Sequence, residues 1–201
     1  MSTLETKESL PVSFSPLLQR YSLEEFWSLP EPQGRAHYDL IGGYLFMVPP
    51  PDSPHGDLDS RLNDLLIMYL NAHGRPGVVY HPREAIWIDD TYVEPDMMYV
   101  SNELRERIGT RRHSADIVFE YLSASTANYD RTTKADTYLA LGVRELWLID
   151  PTTGTIELRN AAMKGERLLW KRRSYSAGEW ASSEVLRGWQ VSVEEFFAGL
   201  V

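Results

Sequence analysis

A chain of 201 residues, 43% hydrophobic and with six Trp, fits one domain with a sizeable core and has no apolar window long enough to span a membrane. The net charge of −9 argues against a nonspecific basic nucleic-acid binder, and the absence of cysteine excludes disulfides and thiolate metal sites. Residues 1–100 hold 6 Lys+Arg and 15 Asp+Glu whereas residues 101–201 hold 14 of each, so any phosphate-attracting surface is expected mostly from the second half.

The N-terminus lacks a basic region followed by an apolar core, so no secretory signal is read there and a cytoplasmic location is expected. Residues 1–20 are polar and Pro-containing and read as a flexible arm preceding a single domain over 21–201. Tyr21 to Trp27 reads as a short helix capped by Ser22, with Glu25 at the capping-box position. Tyr38–Ile41 and Tyr44–Val48 flank Gly42-Gly43, a two-residue hairpin turn, and Pro49-Pro50-Pro51 stops the second strand. Ser53 to His73 reads as a long amphipathic helix, with Leu58, Leu62, Leu65, Leu66 and Tyr69 at helical spacing and Gly74 closing it. Val78–Tyr80 and Ala85–Ile88 read as strands, Asp89-Asp90-Thr91 as a turn, and Pro95-Asp96 opens the apolar run Met97–Val100. A charged connection over Asn102–Arg112 leaves room for one or two helical turns.

Ala115 to Pro151 organises the rest. The buried run Ile117-Val118-Phe119 ends in Glu120, a polar loop follows, Arg131 to Leu141 has a helical pattern closed by Gly142, and Leu146–Ile149 is a second apolar run ending in Asp150. This is strand, helix, strand. Asp130, Lys134 and Tyr138 are four residues apart and share a helix face, with Asp130 in the place of an N-cap. Beyond Pro151, Thr155–Leu158 returns as a strand, residues 167–189 suggest two more short strands around a Ser-Ala-Gly turn at 176–178, and Val193–Leu200 reads as a closing helix. The order implies an α/β (α+β) domain with a mixed sheet rather than a regular βαβ series.

Two carboxylates carry the chemistry. If the strands beginning at Asp96 and ending at Glu120 are neighbours, their carboxylates converge on one hard cation, and Mg²⁺ (or Mn²⁺) suits such a pair because it keeps waters for phosphate exchange. A cation so held activates water and stabilises a phosphodiester transition state, and Lys134 would position or deprotonate that water, or neutralise phosphate charge. The alternatives are plain ones. Asp96 would be a turn residue, Glu120 a strand terminus, and Lys134 a solvated lysine paired with Asp130. Tyr138 would be packing, Asp39 a hairpin surface charge, and His55 a satisfied polar residue at a helix start. No H-x-x-x-H pair, P-loop, dinucleotide fingerprint or G-x-S-x-G element is present.

Pro95-Asp96, Glu120-Tyr121-Leu122, Asp130 and Lys134 resemble the PD-(D/E)XK nuclease pattern. Tyr38-Asp39-Leu40-Ile41…Gly43, Pro49-Pro50-Pro51…His55, Glu120-Tyr121-Leu122-Ser123…Thr126 and Asp130…Lys134…Tyr138…Gly142-Val143…Glu145-Leu146-Trp147 resemble the Uma family of restriction-endonuclease-like proteins, over roughly Tyr21 to Leu158. The resemblance implies a restriction-endonuclease-like mixed β-sheet core flanked by helices, here with extra C-terminal strands. It also implies a Mg²⁺-dependent endonuclease acting on nucleic acid, with DNA the expected partner and no membrane. Asp96 and Glu120, with the Tyr121 carbonyl and Asp39, would hold the metal; Lys134 would act on the attacking water; His55, Asp130 and Tyr138 would stand near the substrate or behind the ligands. The chain departs from the family with Asp39 for Glu, Ala124 for Pro, and Leu122 where the motif lysine is expected two residues after the glutamate. Lys134 is the matching, relocated lysine. The second reading is an inactive nuclease-fold scaffold binding nucleic acid or protein partners. Trp170, Trp180 and Trp189 hint at self-association, in the simplest case as a homodimer.

Overall fold

The computed structural model describes residues 19–34, 36–50 and 54–200. Most of the expected arm, together with Pro51 and the expected helix start at Ser53, lies outside these residues. Leu23–Trp27 forms the first helix, and the Ser22–Glu25 capping box is present. Strands β1 (His37–Ile41) and β2 (Tyr44–Val48) form the hairpin. Its two-residue turn places Gly42 at φ 57° and Gly43 at φ 81°, the pair of positive values a type I′ turn demands. The long helix runs His55–Ala72 and buries Leu58, Leu62, Leu66 and Leu70.

After it come β3 (Gly77–Tyr80), β4 (Ile86–Ile88), β5 (Thr91–Val93) and β6 (Met97–Ser101). The turn expected at Asp89–Thr91 is shorter than the sequence suggested. Asp89 at φ 51° makes the reversal and Thr91 already begins β5, which crosses back to pair with both β4 and β1. A seven-residue helix, Asn102–Ile108, leads toward β7 (Ile117–Tyr121). A helical segment over 127–140 leads to β8 (Glu145–Asp150). The C-terminal part adds β9 (Thr155–Lys164), β10 (Arg167–Tyr175), β11 (Trp180–Ser182), β12 (Gln190–Ser192) and the helix Val193–Phe197. The extra C-terminal hairpin is therefore longer than expected, and β12 went unread because three residues are too few to show a period.

The main sheet has the order β10-β9-β8-β7-β6-β3, with β7 and β8 parallel and every other pair antiparallel. β7 and β8 lie in its interior, which is why they read as continuous apolar runs rather than alternating ones. Alternation still divides their faces. Ile117, Phe119, Trp147 and Ile149 pack with the leucines of the long helix. Val118, Leu146 and Leu148 pack with Ala135 and Tyr138 of the crossover helix. Glu120 shares the parity of Val118, so this arithmetic alone aims it at the crossover helix. The smaller sheet, β2-β1-β5-β4, presents Asp39 toward the same region.

The crossover segment differs from its expected form. It begins at Ala127 rather than at Arg131, so Asp130 lies inside it and is no N-cap. Residues Asp130–Lys134 form a π turn, and both end residues are buried. Asp130 and Lys134 lie on the side that buries Tyr138 against the sheet, so both charged side chains are carried inward with it.

Candidate active site

The β6–β7 register pairs Met97 with Phe119, and one further step sets Asp96 opposite Glu120. The hydrogen bonds agree, because Asp96 Oδ2 accepts the Tyr121 backbone N–H at 2.8 Å. The strands expected to be neighbours are neighbours, and the two carboxylates end up on adjoining chain segments. Asp96 Oδ1 lies 3.2 Å from Nε2 of His55, the first residue of the long helix.

Glu120 is 1% exposed. Its Oε2 accepts from Lys134 Nζ at 3.1 Å, and its Oε1 accepts from the Tyr138 hydroxyl. Lys134 also donates to the Glu94 carbonyl at 3.0 Å, and its Nζ stands 4.0 Å from Asp39 Oδ2 and 3.9 Å from Asp130 Oδ1. Asp39 is fully buried, accepting the Glu94 N–H at 3.0 Å and the Tyr129 hydroxyl at 2.9 Å. It is no hairpin surface charge, and Lys134, 2% exposed, is no solvated lysine.

One ammonium thus faces three buried carboxylates, with Asp96 beside them. The imbalance shows in the ionisation. Burial pushes the Glu120 carboxyl well above its ordinary range, and the neighbouring Asp96 and Asp130 add to this against the pull of Lys134. Burial likewise raises Asp130 to about 6. Burial works to lower the Lys134 pKa, but Glu120, Tyr138, Asp39 and Asp130 together hold it well above the ordinary value. For Asp96, burial works upward but is outweighed by the His55 hydrogen bond and charge and by Lys134, which hold the carboxylate below its ordinary range. His55 answers in kind. Burial lowers it, but the Asp96 hydrogen bond and the charges of Asp96 and Asp59 together leave it raised.

His55, Asp96, Glu120, Tyr121, Asp130 and Lys134 line one small cleft of about 50 Å³. A larger cavity of about 350 Å³ shares His55, Tyr121 and Ser123 with it. The candidate residues read from sequence therefore converge, with Tyr138 behind Glu120 and Asp39 beside Lys134. Sequence reading missed Tyr129, whose hydroxyl donates to Asp39, and the Glu94 carbonyl that accepts a hydrogen bond from Lys134. Neither carries a local signal, since both depend on how the small sheet docks. It also missed Asp59, which accepts from the Tyr121 hydroxyl at 3.4 Å and lies 3.6 Å from His81.

Among the described residues, no three His, Cys, Asp or Glu side chains are grouped to hold a metal ion. The cleft is lined by three hard carboxylates, Asp96, Glu120 and Asp130, of which Asp96 and Glu120 lie on adjoining strand ends. That pair suits Mg²⁺ or Mn²⁺, which take one or two protein carboxylates and fill the remainder with water and phosphate oxygen. The local excess of acid over base points the same way, because a divalent cation would offset it.

A model of the family Uma2, described as "Putative restriction endonuclease", matches residues 23–199. A solved structure from Anabaena variabilis ATCC 29413, described as "a putative nuclease belonging to DUF820", superposes with a TM-score of 0.72 at 18% identity, covering 90% of this chain and 99% of that one. At that identity the likeness speaks for the fold. No curated protein matches this chain. Among the described residues, no helix is long and apolar enough to cross a membrane.

Proposed function

We propose, from the premise that this chain belongs to the Uma2 family of restriction-endonuclease-like proteins, that it is a divalent-metal-dependent endonuclease that hydrolyses phosphodiester bonds in DNA. The observation that carries the reading is the Glu120–Lys134 contact beside Asp96. A carboxylate on β7 and a lysine from the crossover helix meet at 3.0 Å, at the point where β6 delivers a second carboxylate. The lysine missing at Leu122 is in effect supplied from the helix.

Asp96 and Glu120 would hold Mg²⁺ or Mn²⁺, with the Tyr121 carbonyl and Asp39 as further oxygen donors nearby. The cation, when bound, would lower the pKa of water and offset phosphate charge. Lys134 stays protonated among its carboxylates, so it serves as a fixed positive donor that orients the attacking water and stabilises charge developing on the phosphate. Tyr138 holds the second Glu120 oxygen and so fixes the carboxylate's rotamer. His55 does the same for Asp96. Asp130 and Asp39 keep Lys134 charged and on station.

The runner-up, a non-cleaving scaffold, has one observation in its favour. Both Glu120 oxygens are hydrogen-bonded within the protein, as they would be in a site that has closed on itself. Incubation of the purified protein with single- and double-stranded DNA and with RNA, in Mg²⁺, in Mn²⁺ and in chelator, separates the two. Cleavage of DNA with metal and none in chelator is the expected result. No cleavage of any substrate by folded protein would leave the scaffold.

A further inference from the structure

The C-terminal hairpin β9–β10 reaches back to the helix that carries Lys134, and it does so with side chains that donate to main-chain oxygens. Arg159, on β9, is 1% exposed. Its Nη1 donates to the Arg131 carbonyl at 2.8 Å, and its Nε donates to Glu157 Oε1 at 2.6 Å. Glu157 also accepts from Arg131 Nη1 at 2.5 Å, while Arg131 Nη2 reaches Asp150 at 3.1 Å. Trp170, on β10, donates its indole N–H to the Ala135 carbonyl at 3.0 Å.

The two carbonyls bracket Lys134. Arg131 lies three residues before it, inside the π turn, and Ala135 directly follows. A π turn interrupts the i to i−4 ladder, and a buried carbonyl in such an interruption needs a donor from elsewhere. The start of the segment is tied separately, by Ser123, which accepts the Thr126 and Ala127 N–H groups, and by the Tyr129 hydroxyl on Asp39, so Arg159 and Trp170 act on the stretch around Lys134 itself. Burying a guanidinium to satisfy one carbonyl is a poor route to stability, because an apolar side chain of similar volume often does as well or better. It is a good route to a fixed backbone position.

Resting on the nuclease reading above, we infer that Arg159, seconded by Trp170, is a positioning residue for Lys134: it pins the π turn so that the ammonium meets Glu120. Misplacing a catalytic donor by about 1 Å costs on the order of 10² in rate.

The chain has four lysines, Lys7, Lys134, Lys164 and Lys171, so lysine-selective ¹³C labelling gives a simple spectrum in which Lys134→Met identifies the Lys134 signal. In Arg159→Met, the Lys134 Cε–Hε resonance should move toward the position of an exposed lysine. Mn²⁺ affinity, set by Asp96 and Glu120, should stay within about threefold. Single-turnover cleavage should fall roughly 10- to 100-fold at little change in KM. Arg159→Lys, which keeps a donor for the carbonyl, should recover most of both. If Arg159→Met does not fold, Trp170→Phe removes one N–H donor while keeping the ring, and it should move the same resonance in the same direction by less. An unmoved Lys134 resonance in the folded variants overturns the inference, as does a parallel loss of metal affinity and rate that Arg159→Lys fails to relieve. A wild-type protein that cleaves nothing would reject the nuclease reading, and the resonance would still decide whether Arg159 positions Lys134.

Discussion

Glu120 stands at the end of the buried run of β7, and a carboxylate held there needs a partner. That the partners are Lys134 and Tyr138 follows only once a helix face is placed over the strand. Glu120→Gln should abolish Mn²⁺ binding in calorimetric titration, because a charged oxygen ligand is gone; unchanged affinity would remove Glu120 from the ligand set. Its effect on stability should be small, since a neutral amide escapes the burial penalty that raises the Glu120 pKa while losing one acceptor for the two donors. Asp130→Asn should stabilise the protein at neutral pH by on the order of 1–3 kcal/mol. The sign follows from a folded pKa of about 6, above the ordinary 3.8: folding disfavours the charged form, so the stability that protonation supplies is lost as pH rises from about 4 to 6. Denaturant titrations of both proteins at pH 7 measure it, and a destabilised Asn variant would mean that Lys134 needs this carboxylate more than burial penalises it. Lys134 corrects an easy assumption. On a solvated face its pair with Asp130 would contribute about 0.3–0.5 kcal/mol, but buried among carboxylates its removal should cost roughly 3–5 kcal/mol.

At the scale of elements, periodicity gave good account of the hairpin, the long helix and the buried strands, because each repeats a strong pattern over enough residues. It failed at the π turn. The apolar positions of 127–140 look like an ordinary helix, and the π turn over Asp130–Lys134, where the Arg131 carbonyl accepts from Arg159 on a distant strand, leaves no local pattern. It failed also at β5 and β12, each three residues long. One element-level position is set by space alone. Gly77, at the start of β3, pairs with Ser101, and a Cβ there would fall against the Val100 carbonyl and the Tyr99 ring. Gly77→Ala should therefore cost about 1–3 kcal/mol and lower Tm by several degrees in a thermal melt. A Tm within a degree of wild type would show that the edge strand shifts freely. The aromatic surplus of the C-terminal third is partly spent within the chain. Trp189 is buried in the core and Trp170 serves the crossover helix, which leaves Trp180 as the exposed one of the three.

For the whole molecule, the charge division matters more than the net value. The chain is acidic, yet β10 carries Arg167, Lys171, Arg172 and Arg173 on largely exposed positions. If DNA is the substrate, binding should rest on such side chains, and its affinity measured in Ca²⁺ should fall about ten- to a hundredfold between 50 and 200 mM salt. Affinity independent of salt would place the contact elsewhere. In the proposed mechanism Lys134, held in the fold by acids, takes part chemically in metal-dependent phosphodiester cleavage. Single-turnover cleavage of DNA by wild type and by Lys134→Met, both saturated with Mn²⁺ and both verified as folded, tests it most directly. The rate should fall by about 10²–10⁴ with Mn²⁺ affinity kept or slightly raised. A folded Lys134→Met protein that cleaves within a few-fold of wild type would contradict it.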